Sequence, residues 1–292
     1  MQEMFDNSAL SIGIAGVEID FDKLELGHGI EVRKSFAHYM APHMVSLESP
    51  TKEKLAPSPW LTVKGSFDLK ISWEIYIPED FSISGLNKSD LLGYIITMMR
   101  LGVSPQINCP VISTSSFFDK EQFYESDPVV VQFERNRLIT FKGKSDVLSK
   151  SGFEWIAKDF IKKLNLISAN PELKMALSAI DDIYFQKSTA LSLVGIWGAL
   201  EAIFTKSKAE LRFRVSVMIA SYLKQGSNNA YDYHKKLLKL YDARSKAAHG
   251  DLKLKDSTLY DSFEVMYEVI AKIFENEHVP TKEELERLLL RS

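Results

Sequence analysis

The chain has 292 residues, 45% of them hydrophobic and 26% charged, with a net charge of −3 and one cysteine, Cys109. This is the composition of a globular protein, and it excludes an intrachain disulfide framework and a zinc site built from cysteines alone. No apolar run reaches the roughly 18 residues that a membrane span needs, and the first six residues have no basic segment leading into an apolar core, so neither membrane nor secretory signal is expected and the cytoplasm is the expected location.

Strand signals come first. Residues 17–21 alternate apolar and polar, as a half-buried strand does. Glu18, Asp20 and Asp22 share one face there, which a solvated strand explains better than a cation site. Gly29, Ile30, Glu31 and Val32 form a second strand-like run, followed by Arg33, His38 and Pro42. Residues 48–59, rich in Lys, Ser and Pro, read as a loop. Residues 67–75 alternate without a break, and 89–101 carry the one helical pattern of this half. Residues 129–133 and 138–141 flank a short polar tetrapeptide and predict a hairpin. Residues 1–145 therefore predict an α+β domain, mixed α/β in content, with a mainly antiparallel sheet.

After Gly143, Lys144 and Ser145 the period becomes helical, and residues 150–292 predict an all-α bundle of five to seven helices. Gly143 to Ser145 lacks the upstream glycine of a phosphate loop. Asn170 before Pro171 marks a helix start, and Ser207 with Glu210, and Thr281 with Glu284, fit capping boxes. Leu193, Val194, Trp197, Leu200 and Phe204 belong to a helix apolar nearly all round, expected at the bundle's centre. Leu211, Val215, Met218, Ile219 and Tyr222 make one apolar stripe, and Leu259, Phe263, Met266, Tyr267, Ile270 and Phe274 another. Trp197 and the bundle's other aromatic residues are expected in the core rather than as platforms for bases.

Charge is unevenly spread. Residues 1–150 hold 15 Lys and Arg against 20 Asp and Glu, and residues 151–292 hold 21 against 19. Ten basic residues between Lys206 and Lys246 face only Glu210, Asp232 and Asp242. That surplus suits a phosphate-facing surface, with Lys208, Arg212, Arg214 and Lys246 as its candidates, or else a solvated helical face.

The segment Tyr241-Asp242-Ala243-Arg244-Ser245-Lys246-Ala247-Ala248-His249-Gly250 concentrates chemistry. Leu237, Tyr241, Arg244 and Ala248 lie on one helical stripe, so Arg244 sits where core residues otherwise sit and needs a partner, a cleft or an interface. Glu201 on a neighbouring helix is the candidate ion-pair partner. His249 precedes Gly250, a residue typical of positions just past a helix end. Five residues apart on an ideal helix is about 140° in projection, so the two side chains meet only through a distorted last turn or a second chain. A second arginine–x4–histidine pair, Arg33 with His38, has no helical context and reads as coincidence.

These residues resemble a known family. Ala190-Leu191-Ser192-Leu193-Val194-Gly195-Ile196-Trp197-Gly198-Ala199-Leu200-Glu201-Ala202-Ile203-Phe204 is similar to the W-x-A-L-E-x-L-F helix of ApeA-like HEPN domains. The segment from Tyr241 to Gly250 is similar to that group's Y-x-x-R-S-x-x-x-H-G. The resemblance covers roughly residues 170–278. It implies metal-independent RNA cleavage in antiviral defence or toxin–antitoxin settings, with no cofactor, through a composite site in a homodimer. His249 would handle the proton of the 2′-hydroxyl or of the leaving oxygen, and Arg244 would neutralise the phosphate. Ser245, Tyr241 and Glu201 would support them. Ser245 stands where strongly active members often carry Asn, Asp or His. A trigger ligand or antitoxin would engage residues 1–145. The alternative is a non-catalytic module for dimerisation or RNA binding.

Overall fold

The computed structural model describes residues 5, 7–41, 44–45, 61–62, 67–134, 147–148, 150–205, 210–227, 229–250 and 256–290. The polar loop expected at 48–59, the second hairpin strand expected at 138–141, the 143–145 segment, Ser207 and Lys208 lie outside these residues.

The first part is built on strands β1 (Leu10–Ala15), β2 (Glu18–Ile19), β3 (Lys23–Gly27), β4 (Ile30–Ala41), β5 (Met44–Val45), β6 (Leu61–Thr62), β7 (Phe67–Ile77), β8 (Asn108–Ser113) and β9 (Val130–Gln132). Six of them form one sheet in the order β3-β4-β7-β1-β8-β9, with every neighbouring pair antiparallel. The alternation at 67–75 does what it predicted. Trp73 and Ile75 pair with Ile14 and Ile12 of β1, and all four are buried in the main core. The opposite face carries Ser11 and Glu74. Gly13 at the centre is a packing requirement, because a Cβ there would stand 2.9 Å from Ile71 Cγ2 and 3.0 Å from Val111 Cγ1. The 17–21 alternation yields only the two-residue β2, paired in parallel with β10 (Val147–Leu148). Its neighbours Asp20 and Asp22 are exposed. The strand expected at 129–133 is present as β9, which pairs antiparallel with β8, and its expected hairpin partner at 138–141 lies outside the described residues.

Helix α1 (Lys88–Gly102) matches the predicted pattern, with Asn87 Oδ1 accepting from the Asp90 N–H at 2.7 Å. A short α2 (Lys120–Glu125) follows β8. The second part comprises α3 (Lys150–Ala157), α4 (Phe160–Ala169), α5 (Pro171–Ile183), α6 (Thr189–Phe204), α7 (Leu211–Leu223), α8 (Ala230–Ala248), α9 (Asp256–Asn276) and α10 (Lys282–Leu290). These are eight helices among the described residues, against an expected five to seven. Asp159, left-handed at φ 54°, separates α3 from α4. The fold is thus an antiparallel sheet region followed by a helical region.

Three helix starts show how local signals play out. Thr281 and Glu284 form the reciprocal capping box, with Thr281 N–H on Glu284 Oε2 at 2.7 Å and Glu284 N–H on Thr281 Oγ1 at 3.3 Å. Asn170 does precede Pro171 at the start of α5, but its side chain turns back and donates to the Leu166 carbonyl at 2.7 Å. Helix α7 begins at Leu211, with Glu210 left-handed at φ 53° and no side-chain cap.

Helix α6 is central: it packs against α5, α7, α8 and α9, as its all-round apolar surface demands. Its Trp197, Leu200 and Phe204 are buried. One continuous core runs from the inner sheet face through α1 into the bundle. Arg100 of α1, 1% exposed, lies within it and binds the Ile107 carbonyl (3.2 Å), Asp181 of α5 and Glu134 after β9. Burial alone would lower the pKa of this guanidinium; Glu134 and Asp181 more than offset that and hold it raised. No helix of the described residues is long and apolar enough to cross a membrane.

Candidate active site at the end of helix α8

Helix α8 packs against α6 and α7 and leaves its remaining side to solvent. Leu237, Leu240, Tyr241 and Ala247 are buried, and Arg244 is partly buried among them. The predicted stripe drifts at its end. Ala248, expected inside, is exposed, and Ala247 takes the buried place, because the contact face is centred nearer Leu240 than the Tyr241–Ala248 line.

Glu201 of α6 organises the site. Its Oε1 accepts the Tyr241 hydroxyl at 2.8 Å and lies 3.0 Å from Arg244 Nη2, which also donates to Oε2 at 3.3 Å. The carboxylate therefore binds two residues one turn apart on α8. Tyr241 is fixed from behind by Trp197, edge-on at 5.3 Å between centroids, and the Trp197 indole N–H donates to Ser262 Oγ of α9 at 3.1 Å. Burial first, and then the hydrogen bond and charge of Glu201, push the Tyr241 phenol up to about 12. It stays a donor across the neutral range. The Arg244 guanidinium lies 5.4 Å from the Tyr241 ring centroid.

Arg244 is incompletely satisfied. Its Nε is covered and has no acceptor among the described residues, and Nη1 makes no hydrogen bond to any of them. The side chain is 22% exposed. A single nitrogen grips Glu201, so the two-pronged edge that arginine offers to carboxylates and phosphates is not used up.

His249 is the C-cap of α8. Its N–H closes on the Ser245 carbonyl at 3.2 Å and the Lys246 carbonyl at 3.1 Å, and its ring is exposed. Gly250 follows at φ 89°, a left-handed turn that glycine adopts freely and that ends the helix, with its N–H on the Ala247 carbonyl at 3.1 Å. No hydrogen bond joins Arg244 and His249 among the described residues. The α-helix runs unbroken to Ala248, so at 3.6 residues per turn positions 244 and 249 leave it in directions about 140° apart in projection. Ser245, half-buried, acts here through its carbonyl.

The expected RNA-facing residues divide. Lys246 is exposed beside His249. Arg212 of α7 grips Asp242 with Nε at 2.5 Å and Nη2 at 2.8 Å, so its charge is matched within the protein. Arg214 is exposed and, among the described residues, pairs with Glu210 at 3.9 Å. The second arginine–histidine pair lies in β4. Arg33 there binds Glu31, the fully buried Glu74 and Ser116, and His38 sits 3.3 Å from Asp68.

The expectation that bundle aromatics are core holds for Trp197, Phe204 and Phe263 but not for Phe213 and Tyr231, which are 55% and 66% exposed. Sequence reading also passed over Lys235 and Lys239 as site residues. Their signal was the four-residue spacing from Tyr231 along α8. No family model matches the chain, and no curated protein or solved structure is significantly similar to it.

Proposed function

We propose that this chain is a metal-independent endoribonuclease of HEPN type whose chemistry is carried by Arg244 and His249. One observation carries the reading. Arg244 is aimed by Glu201 and Tyr241 yet keeps unspent donors, on the helix that an exposed His249 terminates. Together with the paired motifs on α6 and α8, this supports a site for a phosphodiester.

In the proposed reaction a neutral His249 imidazole removes the proton from an RNA 2′-hydroxyl. The 2′-oxygen attacks the adjacent phosphorus while the bond to the 5′-oxygen breaks, and the departing oxygen takes a proton from a histidinium. Arg244 offsets the charge that builds on the non-bridging oxygens. The products are a 2′,3′-cyclic phosphate and a 5′-hydroxyl. The separation of Arg244 from His249 within one chain favours a composite site in which a homodimer supplies the two groups from different copies. Residues 1–145 would bind the trigger or antitoxin in a defence or toxin setting.

A second reading, a non-catalytic module for dimerisation or RNA binding, is favoured by the Arg244–Glu201 pair, which already partly neutralises the arginine. Incubating purified protein with total RNA and tRNA in EDTA separates the two. The nuclease reading expects cleavage that leaves cyclic-phosphate ends and that falls by at least about a hundredfold in His249→Ala. A folded wild-type protein that cuts neither substrate overturns it in favour of the module.

A further inference from the structure

Helix α8 carries a second feature on its solvent face. Tyr231, Lys235, Lys239, Asp242, Lys246 and His249 fall within an arc of about 80° at 3.6 residues per turn. All of them are exposed except Asp242, which is half-buried. The stripe runs about 27 Å from end to end, with the histidine at one end and the tyrosine at the other. Its single acid is already occupied, since Asp242 is bound by both Nε and Nη2 of Arg212. Lys239 and Lys246 have no carboxylate partner among the described residues. Lys235 sits over the Tyr231 ring, 4.1 Å from its centroid, and Tyr231 is still 66% exposed. Phe213 of α7, 55% exposed, stands beside Arg212 against the ring of His234 at 5.7 Å.

We infer that this face is a track for single-stranded RNA, which lies along Lys235, Lys239 and Lys246 and stacks an unpaired base on Tyr231 some 27 Å from His249. The inference rests on the nuclease reading for the identity of the nucleic acid, and it adds the strandedness and path of the substrate. Two physical facts select the occupant. A row of ammonium groups, spaced about one and then about two helical turns apart, suits a flexible chain of phosphates that can adjust its path between them. An open aromatic face beside a cation is useful only to a base whose own face is free, which a duplex does not offer.

The test measures binding apart from cleavage. The probe is a fluorescent 12-nucleotide 2′-O-methyl RNA, which has no free 2′-hydroxyl, either single-stranded or annealed to its complement. Anisotropy in EDTA over a range of salt gives affinity and salt slope. For wild type the three lysines predict a slope near −2 on single strands, at about −0.7 per phosphate contact. In Lys235→Glu with Lys239→Glu the slope weakens by about 1.4. In Tyr231→Ala, single-strand affinity drops by at least about fivefold while duplex affinity is unchanged. Lys282→Glu on α10, away from the stripe, behaves as wild type.

Stripe variants that bind like wild type, or a wild type that does not bind the probe, overturn the track. Equal losses on the duplex overturn the single-strand assignment. Cleavage of natural RNA is scored separately. Cutting that ignores the stripe removes the track and leaves the nuclease, and stripe-dependent binding without cutting removes the nuclease and leaves the track.

Discussion

Arginine is used in two ways in this protein, and the sheet region and the bundle illustrate one each. In the sheet region and at its seam with α5, Arg33 and Arg100 have every kind of side-chain nitrogen engaged. Arg33 reaches Glu74 through Nε, Glu31 through Nη1 and Ser116 through Nη2. Arg100 reaches the Ile107 carbonyl, Asp181 and Glu134 in the same order. The carboxylates are equally occupied: Glu74 also accepts from the Ser11 and Ser116 hydroxyls and the Phe117 N–H, and Glu134 from the Cys109 N–H. In the bundle, Arg244 uses one nitrogen. Groups removed from water need complete pairing, and the two saturated clusters meet that need. Arg244 does not meet it, and the proposed phosphodiester site rests on that contrast.

Several substitutions break or sharpen this contrast. Arg100→Leu should have the largest effect on stability, about 3–5 kcal/mol, because it removes the cation that both the buried Glu134 and Asp181 face. The midpoint of urea unfolding measures it, and an unchanged midpoint would mean that saturation is no guide to structural weight. For Arg244→Ala the burden should fall on activity. RNA cleavage drops by about 10²–10³, as on removing one charge-stabilising donor, while stability changes by no more than about 2 kcal/mol. The reverse pattern, a large loss of stability with cleavage intact, would place Arg244 with Arg100.

Glu201→Gln keeps an acceptor for Tyr241 but removes the charge, at a cost of about 1 kcal/mol. The Tyr241 phenol, held at about 12 by burial and by Glu201, then titrates closer to its ordinary value of 10. A folded pKa raised above the unfolded value means stability that is fully present below pH 10 and lost as pH climbs towards about 12. The variant should narrow that window in an absorbance titration of tyrosinate; an unshifted titration would show that Glu201 does not set it.

The smallest effect concerns His234, whose covered Nε2 has no acceptor among the described residues. Burial, and then Arg212, lower its pKa below 6.5, so the folded state prefers the neutral ring. Its contribution to stability is complete above pH 6.5 and is lost as pH falls through the lowered folded value. Thermal unfolding between pH 5 and 7 should be flatter in His234→Gln than in wild type.

Legibility followed the range of the signal. The alternation at 67–75, the helix at 89–101 and the Thr281–Glu284 box were all readable, because each depends on residues within a turn or two. The partnership of Glu201 with Arg244 was readable too, since a charge on an otherwise apolar stripe must find a counter-charge on the helix it faces. The Arg100–Glu134–Asp181 cluster was not. Its members are 34 and 81 residues apart from Arg100, and nothing local marks them as partners. Alternation over 17–21 overstated β2, because strand length is set by the partner available, which among the described residues is Val147 and Leu148.

The sequence alone determined where sheet gives way to helix, which helix lies at the centre of the bundle, and that Arg244 of α8 needs a partner for its charge, which Glu201 supplies. These follow from periodicity, from side-chain volume and from the cost of burying charge, all of which act within a segment. Only the tertiary structure decided that Arg244 is anchored yet unsaturated, that His249 stands apart from it, and that Tyr231, Lys235, Lys239 and Lys246 are left on an open face. Those outcomes depend on which side of α8 the neighbouring helices cover, and that choice is made by the packing of α6 and α7 against it rather than by α8 itself.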